Sequence, residues 1–223
     1  MSGLEDNYII RSKRQMRALA APTRQEIVDV LPGMGTVSVA ELATALGRPA
    51  DSLYYHLRIL KRVGLVRSAG SHRLNGRRET LFRAIAPEMS LCYELGRKGN
   101  GSQVNAIIAS MLRLGIRDFS NSFKTADASV SGPNRELWAL RKTGWLSQAQ
   151  IAEVNRYIEK LMHVMAVPGR NGRLYAVSIV LTPLSRRSHR HDEQTLTLQR
   201  RVTRARQLAI RRLCTLEVGR IVG

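Results

Sequence analysis

Acidic residues are scarce in this 223-residue chain: 17 Asp and Glu stand against 36 Lys and Arg, leaving a formal charge of +19 at neutral pH. A polyanionic partner is the leading inference, and composition alone admits DNA, RNA or an anionic membrane surface. Cysteine is nearly missing. Cys92 and Cys214 make neither a disulfide framework nor a CxxC metal pair, and nothing in their use suggests secretion. No apolar run approaches the roughly 20 residues needed to cross a bilayer, and the N-terminus lacks the basic-then-apolar pattern of a signal peptide. The expectation is a soluble cytoplasmic protein with no membrane partner.

Catalytic signatures are also lacking. The glycine pairs at Gly33 and Gly35 and at Gly99 and Gly101 follow helical patterns, not the buried strand that a dinucleotide or methyl-donor turn requires. There is no GxSxG elbow and no convincing acid–base pair. These absences argue against an enzyme and against a bound cofactor.

What is present begins with SLYYHLRILKRVGLV, Ser52 to Val66. Leu53, Leu57 and Leu60 recur at helical spacing and form an apolar stripe. Asp51, Tyr55, Arg58 and Arg62 fall on the opposite side, Tyr54 and Lys61 lie on one flank, and His56 borders the stripe on the other. Gly64 suits a helix stop, and LVRS reads as a strand. Upstream, a helix is expected from about Tyr8 to Leu19. A second follows as PTRQEIVDVL, with Pro22 at its first position and PGMG at its end. Ser38 and Glu41 form a capping box for SVAELATAL, whose Val39, Leu42, Ala43 and Leu46 share a face. Gly47-Arg48-Pro49 is the break before the quoted helix.

A short capped helix, a turn, a second helix, a basic loop SAGSHRLNGRR and the strand ETLFRA follow the order of a winged helix-turn-helix. APTRQEIVDVL, SVAELATALG, SLYYHLRILKRVGLV and GRRETLFRA resemble successive segments of the ArsR-type winged-helix regulators, in particular the branch whose recognition helix reads YYHL. The resemblance covers roughly residues 8 to 86. It implies a DNA-binding transcription regulator. Many such regulators hold metals through cysteines in the helix before the recognition helix; VAELATAL has none, which argues against thiolate sensing. HRHD, with His189, His191 and Asp192, lies in an arginine-rich setting without the fixed geometry of a metal site.

Beyond Pro87, EMSLCYELGRKGNG and SQVNAIIASMLRLGIRDFSNSF read as one helix broken at Gly99 to Gly101, with Val104, Ile107, Ile108, Met111 and Leu112 as an apolar face. Ser147 caps a helix to about Met165 with a stripe of Ile151, Val154, Ile158, Leu161 and Met162, and RLYAVSIVLTPL reads as a strand. Residues 185–223 are the densest in positive charge. They read as a solvated tail, with a basic amphipathic helix along Leu198, Val202, Ala205 and Ala209 as the alternative. The expected fold is mainly α with a small β wing: residues 1–87 a winged helix-turn-helix, 88–184 a helical domain containing at least one strand for dimerisation and effector reception, and 185–223 the basic tail.

On this expectation the partner is double-stranded DNA, and the protein acts as a homodimer at an operator. Arg58 can donate two parallel hydrogen bonds to guanine in the major groove. Ser52, Tyr54, Tyr55 and Arg62 can contact phosphates, base edges or thymine methyls. Arg73, Arg77 and Arg78 sit where a wing tip reaches phosphate or the minor groove. Arg24 serves the DNA backbone or a structural salt bridge, and His56 is a packed, hydrogen-bonded histidine rather than a base or ligand. Trp138 and Trp145 either pack or line an effector pocket, the effector being unidentified. The rival is a nonspecific nucleoid-associated or RNA-binding protein; less favoured is a methyltransferase that uses its winged helix for dimerisation.

Overall fold

The computed structural model describes residues 7–74, 77–124, 128–166 and 173–184, with Leu74 and Arg77 described in backbone alone. Contacts divide the chain into one unit from Met1 to Val180 and another from Leu181 to Gly223; the described residues of the latter, 181–184, form neither helix nor strand. The first unit orders its elements as β1 (Asn7–Ile10), α1 (Lys13–Leu19), α2 (Pro22–Met34), β2 (Val37–Ser38), α3 (Val39–Leu46) and α4 (Ala50–Arg62). Then come β3 (Val66–Leu74), β4 (Arg77–Ala84), β5 (Glu88–Leu91), α5 (Gly101–Ser122) and α6 (Gln148–Ala166). It is mainly helical with a small antiparallel sheet, a winged helix-turn-helix followed by a helical region.

The expected local chemistry builds α2 to α4. Pro22 opens α2, since a missing N–H costs nothing at a first helical position. The Ser38 hydroxyl accepts from Glu41 N–H at 3.2 Å while the Glu41 carboxylate accepts from Ser38 N–H at 2.7 Å, which starts α3. Gly47, at φ 59°, ends α3 in the left-handed region and lets the chain reverse into α4. Gly64, at φ 78°, does the same after α4, where Leu65 N–H returns to Leu60 C=O at 3.0 Å.

The core lies where these helices meet. Met16, Ile27, Leu31, Leu42, Leu53, Leu57, Leu60 and Leu65 are fully buried. β4 pairs antiparallel with both β2 and β3, giving the order β2-β4-β3. The β3–β4 register runs Ser68↔Phe82, then Ser71↔Thr80, so β3 carries one extra residue in a bulge, and Gly70 takes the φ of 102° that the bulge needs.

Several expectations are corrected. The N-terminal helix begins only at Lys13, because Asn7–Ile10 is strand β1 in parallel register with β5, from Asn7↔Glu88 to Ile10↔Leu91. EMSLCYELGRKGNG is therefore not helical: its first residues are β5, and a loop follows. In that loop buried Asn100 donates to Cys92 C=O at 2.7 Å and accepts from Glu94 N–H at 3.0 Å. A side chain on Gly99 would collide with Glu94 C=O, which is why glycine stands there. α2 runs through Pro32 to Met34, since the proline removes one N–H and the next turn closes by Gly35 N–H to Leu31 C=O at 3.1 Å. The segment 173–184 enters no ladder; an apolar sequence becomes a strand only beside a partner edge. Among the described residues of 88–184, the strand is β5.

Residues Ser147 and Gln150 cap α6 reciprocally at 3.3 and 2.8 Å, yet no residue of α6 is buried. In α5, by contrast, Val104 and Ile107 join the core shared by α1 and α2, although they lie beyond residue 87, while Leu112 is exposed. Glu26 of α2 holds α5 in place. Its carboxylate accepts from Arg117 at 2.6 Å and from Arg48, in the turn before α4, at 2.7 Å. Glu26→Gln leaves Arg48 without a counter-charge and Arg117 with Asp118 alone, at 2.6 Å. Because Arg117 is 38% exposed, the expected loss is at the low side for charged hydrogen bonds, about 1 to 2 kcal/mol in urea unfolding. Combined with Arg117→Ala, the losses should be less than additive.

Candidate nucleic-acid interface

The apolar stripe of α4 determines which residues it offers outward. With Leu53, Leu57 and Leu60 buried, Ser52, Tyr54, Tyr55, Arg58 and Arg62 are all exposed, the two tyrosines by 52% and 58%. Ser52 Oγ donates to Pro49 C=O at 2.7 Å, so it reinforces the helix start and keeps its lone pairs outward. Arg58 and Arg62 have no hydrogen bond or ion pair among the described residues. Lys61 Nζ donates to Ser68 Oγ at 2.8 Å and ties α4 to β3.

On the wing, Arg73 and Arg78 face each other across the ladder, and the Arg78 Nε donates to Ser71 Oγ at 2.8 Å. Arg73 and Arg78 are exposed; the Arg77 side chain lies outside the described residues, as does the tip at 75–76. Beside them His72 and Glu79 pair at 3.4 Å. α4 and the wing therefore offer separate sets of outward cations, the first with two aromatic rings among them.

Other sequence candidates are placed differently. Arg24 Nε donates to Ala18 C=O at 2.5 Å, and Arg24 makes no salt bridge among the described residues. His56 is half-buried in an edge-to-face arrangement with Tyr55, ring centres 5.4 Å apart, but its buried Nδ1 has no partner among the described residues, contrary to the expected hydrogen-bonded histidine. Burial, then the charges of Arg24 and Arg48, hold its pKa below the ordinary histidine value. Trp138 and Trp145 are both more than half exposed, so neither packs in a core, and the Arg135 guanidinium lies 4.1 Å from the Trp138 ring centre. Cys214, His189, His191 and Asp192 lie outside the described residues.

Two pairs of arginines were not singled out in the sequence. Arg67 and Arg83 are opposite one another on β3 and β4, with buried guanidinium nitrogens that lack partners. Their mirrored places in LVRS and LFRA were the available signal. Arg14 and Arg17 are three apart on α1, a spacing that puts them on one side of the helix once its start at Lys13 is known.

Residues 19–69 match a family model described as a helix-turn-helix domain, less than half of the chain. No curated protein matches. The matched span contains α2, α3, α4 and the start of β3, so the two helices and the turn that position Tyr54, Tyr55 and Arg58 are those of a helix-turn-helix domain. Such a domain is a DNA-binding module of regulators in general.

A depressed histidine pKa makes the fold prefer neutral His56. Below the unfolded value, near 6.5, the unfolded chain binds a proton that the folded chain resists, so stability falls as the pH drops. Burial is the main cause, the charges of Arg24 and Arg48 add to it, and Tyr55 is the neighbouring ring. Thermal unfolding between pH 7.5 and pH 5.5 should show a smaller decline in His56→Gln than in the parent protein.

Proposed function

We propose that the protein is a sequence-specific transcription regulator that occupies an operator as a dimer, with α4 in the major groove and the wing on backbone or minor groove. The observation that carries this reading is the polarity of α4. Three leucines turn inward, and a surface of two tyrosines and two unpaired arginines, suited to hydrogen-bond and stack against bases and phosphates, turns outward. The excess of positive charge supplies general attraction to nucleic acid, and it would serve a nonspecific binder equally well. Discrimination therefore decides between the two.

The ArsR-type resemblance, in the YYHL branch, supports the regulator. A dimer is supported by where apolar surface is left over. Trp138, Leu140, Trp145, Ile151, Leu161 and Met162 are all exposed, more than a monomer ordinarily leaves in one stretch. The other candidate contact is the N-terminal segment around Ile9, Met16 and Leu19; Met16 and Leu19 are engaged already, buried in the core that α5 shares, while Ile9 is exposed. Residues after 128 thus have the surface for association, and a two-fold dimer gives two recognition helices to a palindromic site.

An operator can be selected from random duplexes. On it, Arg58→Ala should cost about 1 to 3 kcal/mol of binding and relax preference at one base pair. Equal losses on selected and random duplexes would instead indicate a nonspecific binder. For the dimer, Val154→Glu with Ile158→Glu places two charges on the α6 stripe. Light scattering at micromolar concentration should show dimers for the parent and monomers for the variant; persistent dimers would remove α6 from the interface.

A further inference from the structure

We infer that a cavity walled by Arg14 and Arg17 of α1, Arg24 of α2 and Arg62 of α4 is a seat for a phosphate group. The cavity is about 440 Å³, open to solvent, with Ile59 and Val63 of α4 and its C-cap completing its wall. Neither Asp nor Glu lines it. Four arginines around one space repel one another, and no acidic residue of the wall offsets that; an anion in the cavity would.

The side chains are set for such a guest. Arg17 Nε donates to Lys13 C=O at 3.2 Å and Arg24 Nε to Ala18 C=O at 2.5 Å, so each fork is anchored on backbone at its inner nitrogen. Their terminal nitrogens make no hydrogen bond among the described residues, nor do the side chains of Arg14 and Arg62. Planar forks of this kind match the tetrahedral oxygens of phosphate in pairs, and several forks favour a group carrying more than one negative charge. The volume admits a pyrophosphate or a small organic phosphate, whose apolar part would meet Ile59 and Val63.

The phosphate can come from a free phosphorylated small molecule or from the backbone of a duplex. Only the second source rests on the proposed DNA-binding function. In either case the guest touches Arg62, the last residue of α4, and so bears on the helix that faces outward.

The test uses the full chain and Arg14→Gln with Arg17→Gln. Both side chains are exposed and outside the α4 and wing surfaces, and thermal unfolding checks that the variant folds. Calorimetric titration with pyrophosphate, at fixed ionic strength, should give one saturable site per chain that becomes at least about tenfold weaker in the variant. In parallel, binding to a random-sequence duplex is measured against salt. A variant that loses pyrophosphate but keeps the salt slope identifies a free phosphate as the guest. A slope shallower by about two, without a pyrophosphate site in the parent, identifies the duplex backbone. Changes in both readouts assign the seat to both sources. Pyrophosphate binding and salt slope that are both unaltered by the substitutions would overturn the proposal. Should the parent bind no duplex, the proposed function fails while the pyrophosphate titration still judges the cavity.

Discussion

Burial of one face of α4 is the constraint on which the remaining structure depends. Leu53, Leu57 and Leu60 are at most 1% exposed, and burying three leucines is worth on the order of 5 to 9 kcal/mol. That is comparable with the net stability of a whole domain. Rotating α4 by one residue would expose a leucine and drive a polar side chain into Met16, Ile27 and Leu42. The orientation of Tyr54, Tyr55 and Arg58 is thus fixed by residues that never meet solvent. α1, α2, α3 and the start of β3 exist around α4 as the counter-surface for those leucines.

Charge is distributed by the same economy. Several carboxylates are engaged within the structure: Glu26 holds Arg48 and Arg117, Glu41 caps α3, Glu79 meets His72, and Glu136 accepts from the Tyr175 hydroxyl and from Ser129 N–H. Arginines on α4, on the wing and around the α1–α2–α4 cavity are left uncompensated. The positive field is therefore concentrated on surfaces, and its action on a partner weakens with salt as the Debye length shortens.

What could be read in the sequence follows from the range of the interactions involved. α2, α3 and α4 depend on caps, glycines and leucine spacing that act over three or four residues, and the β3–β4 hairpin on neighbouring segments; these were legible together with their outward faces. β1 was not, because four residues acquire strand geometry from a partner some eighty positions away, and β5 was hidden for the same reason. YAVSIVL has the composition of a strand without an edge to join. The lowered proton affinity of His56 depends on its burial and on the charges of Arg24 and Arg48, which no spacing rule relates to it. Arg14 and Arg17 were obscured by the misplaced start of α1, which blurred the face they share.

The boundary expected at residue 87 follows the end of the wing, but the physical connections run past it. Arg117 of α5 reaches Glu26 of α2, and Glu26 reaches Arg48 at the turn that begins α4. Two residues before Arg117, a methyl group on Gly115 would touch Ser178 Oγ at 3.7 Å, so Ser178 lies beside this part of α5. The charge of Arg48, after burial and Arg24, also lowers the proton affinity of His56. Each link is a short charged hydrogen bond or a packed backbone, both stiff on the scale of an ångström. A displacement of α5 against α2 must therefore either break the Glu26 bonds or carry Arg48 with it. Because Arg48 stands immediately before Pro49 and the first turn of α4, the second course changes the angle at which Tyr54, Tyr55 and Arg58 leave the protein surface.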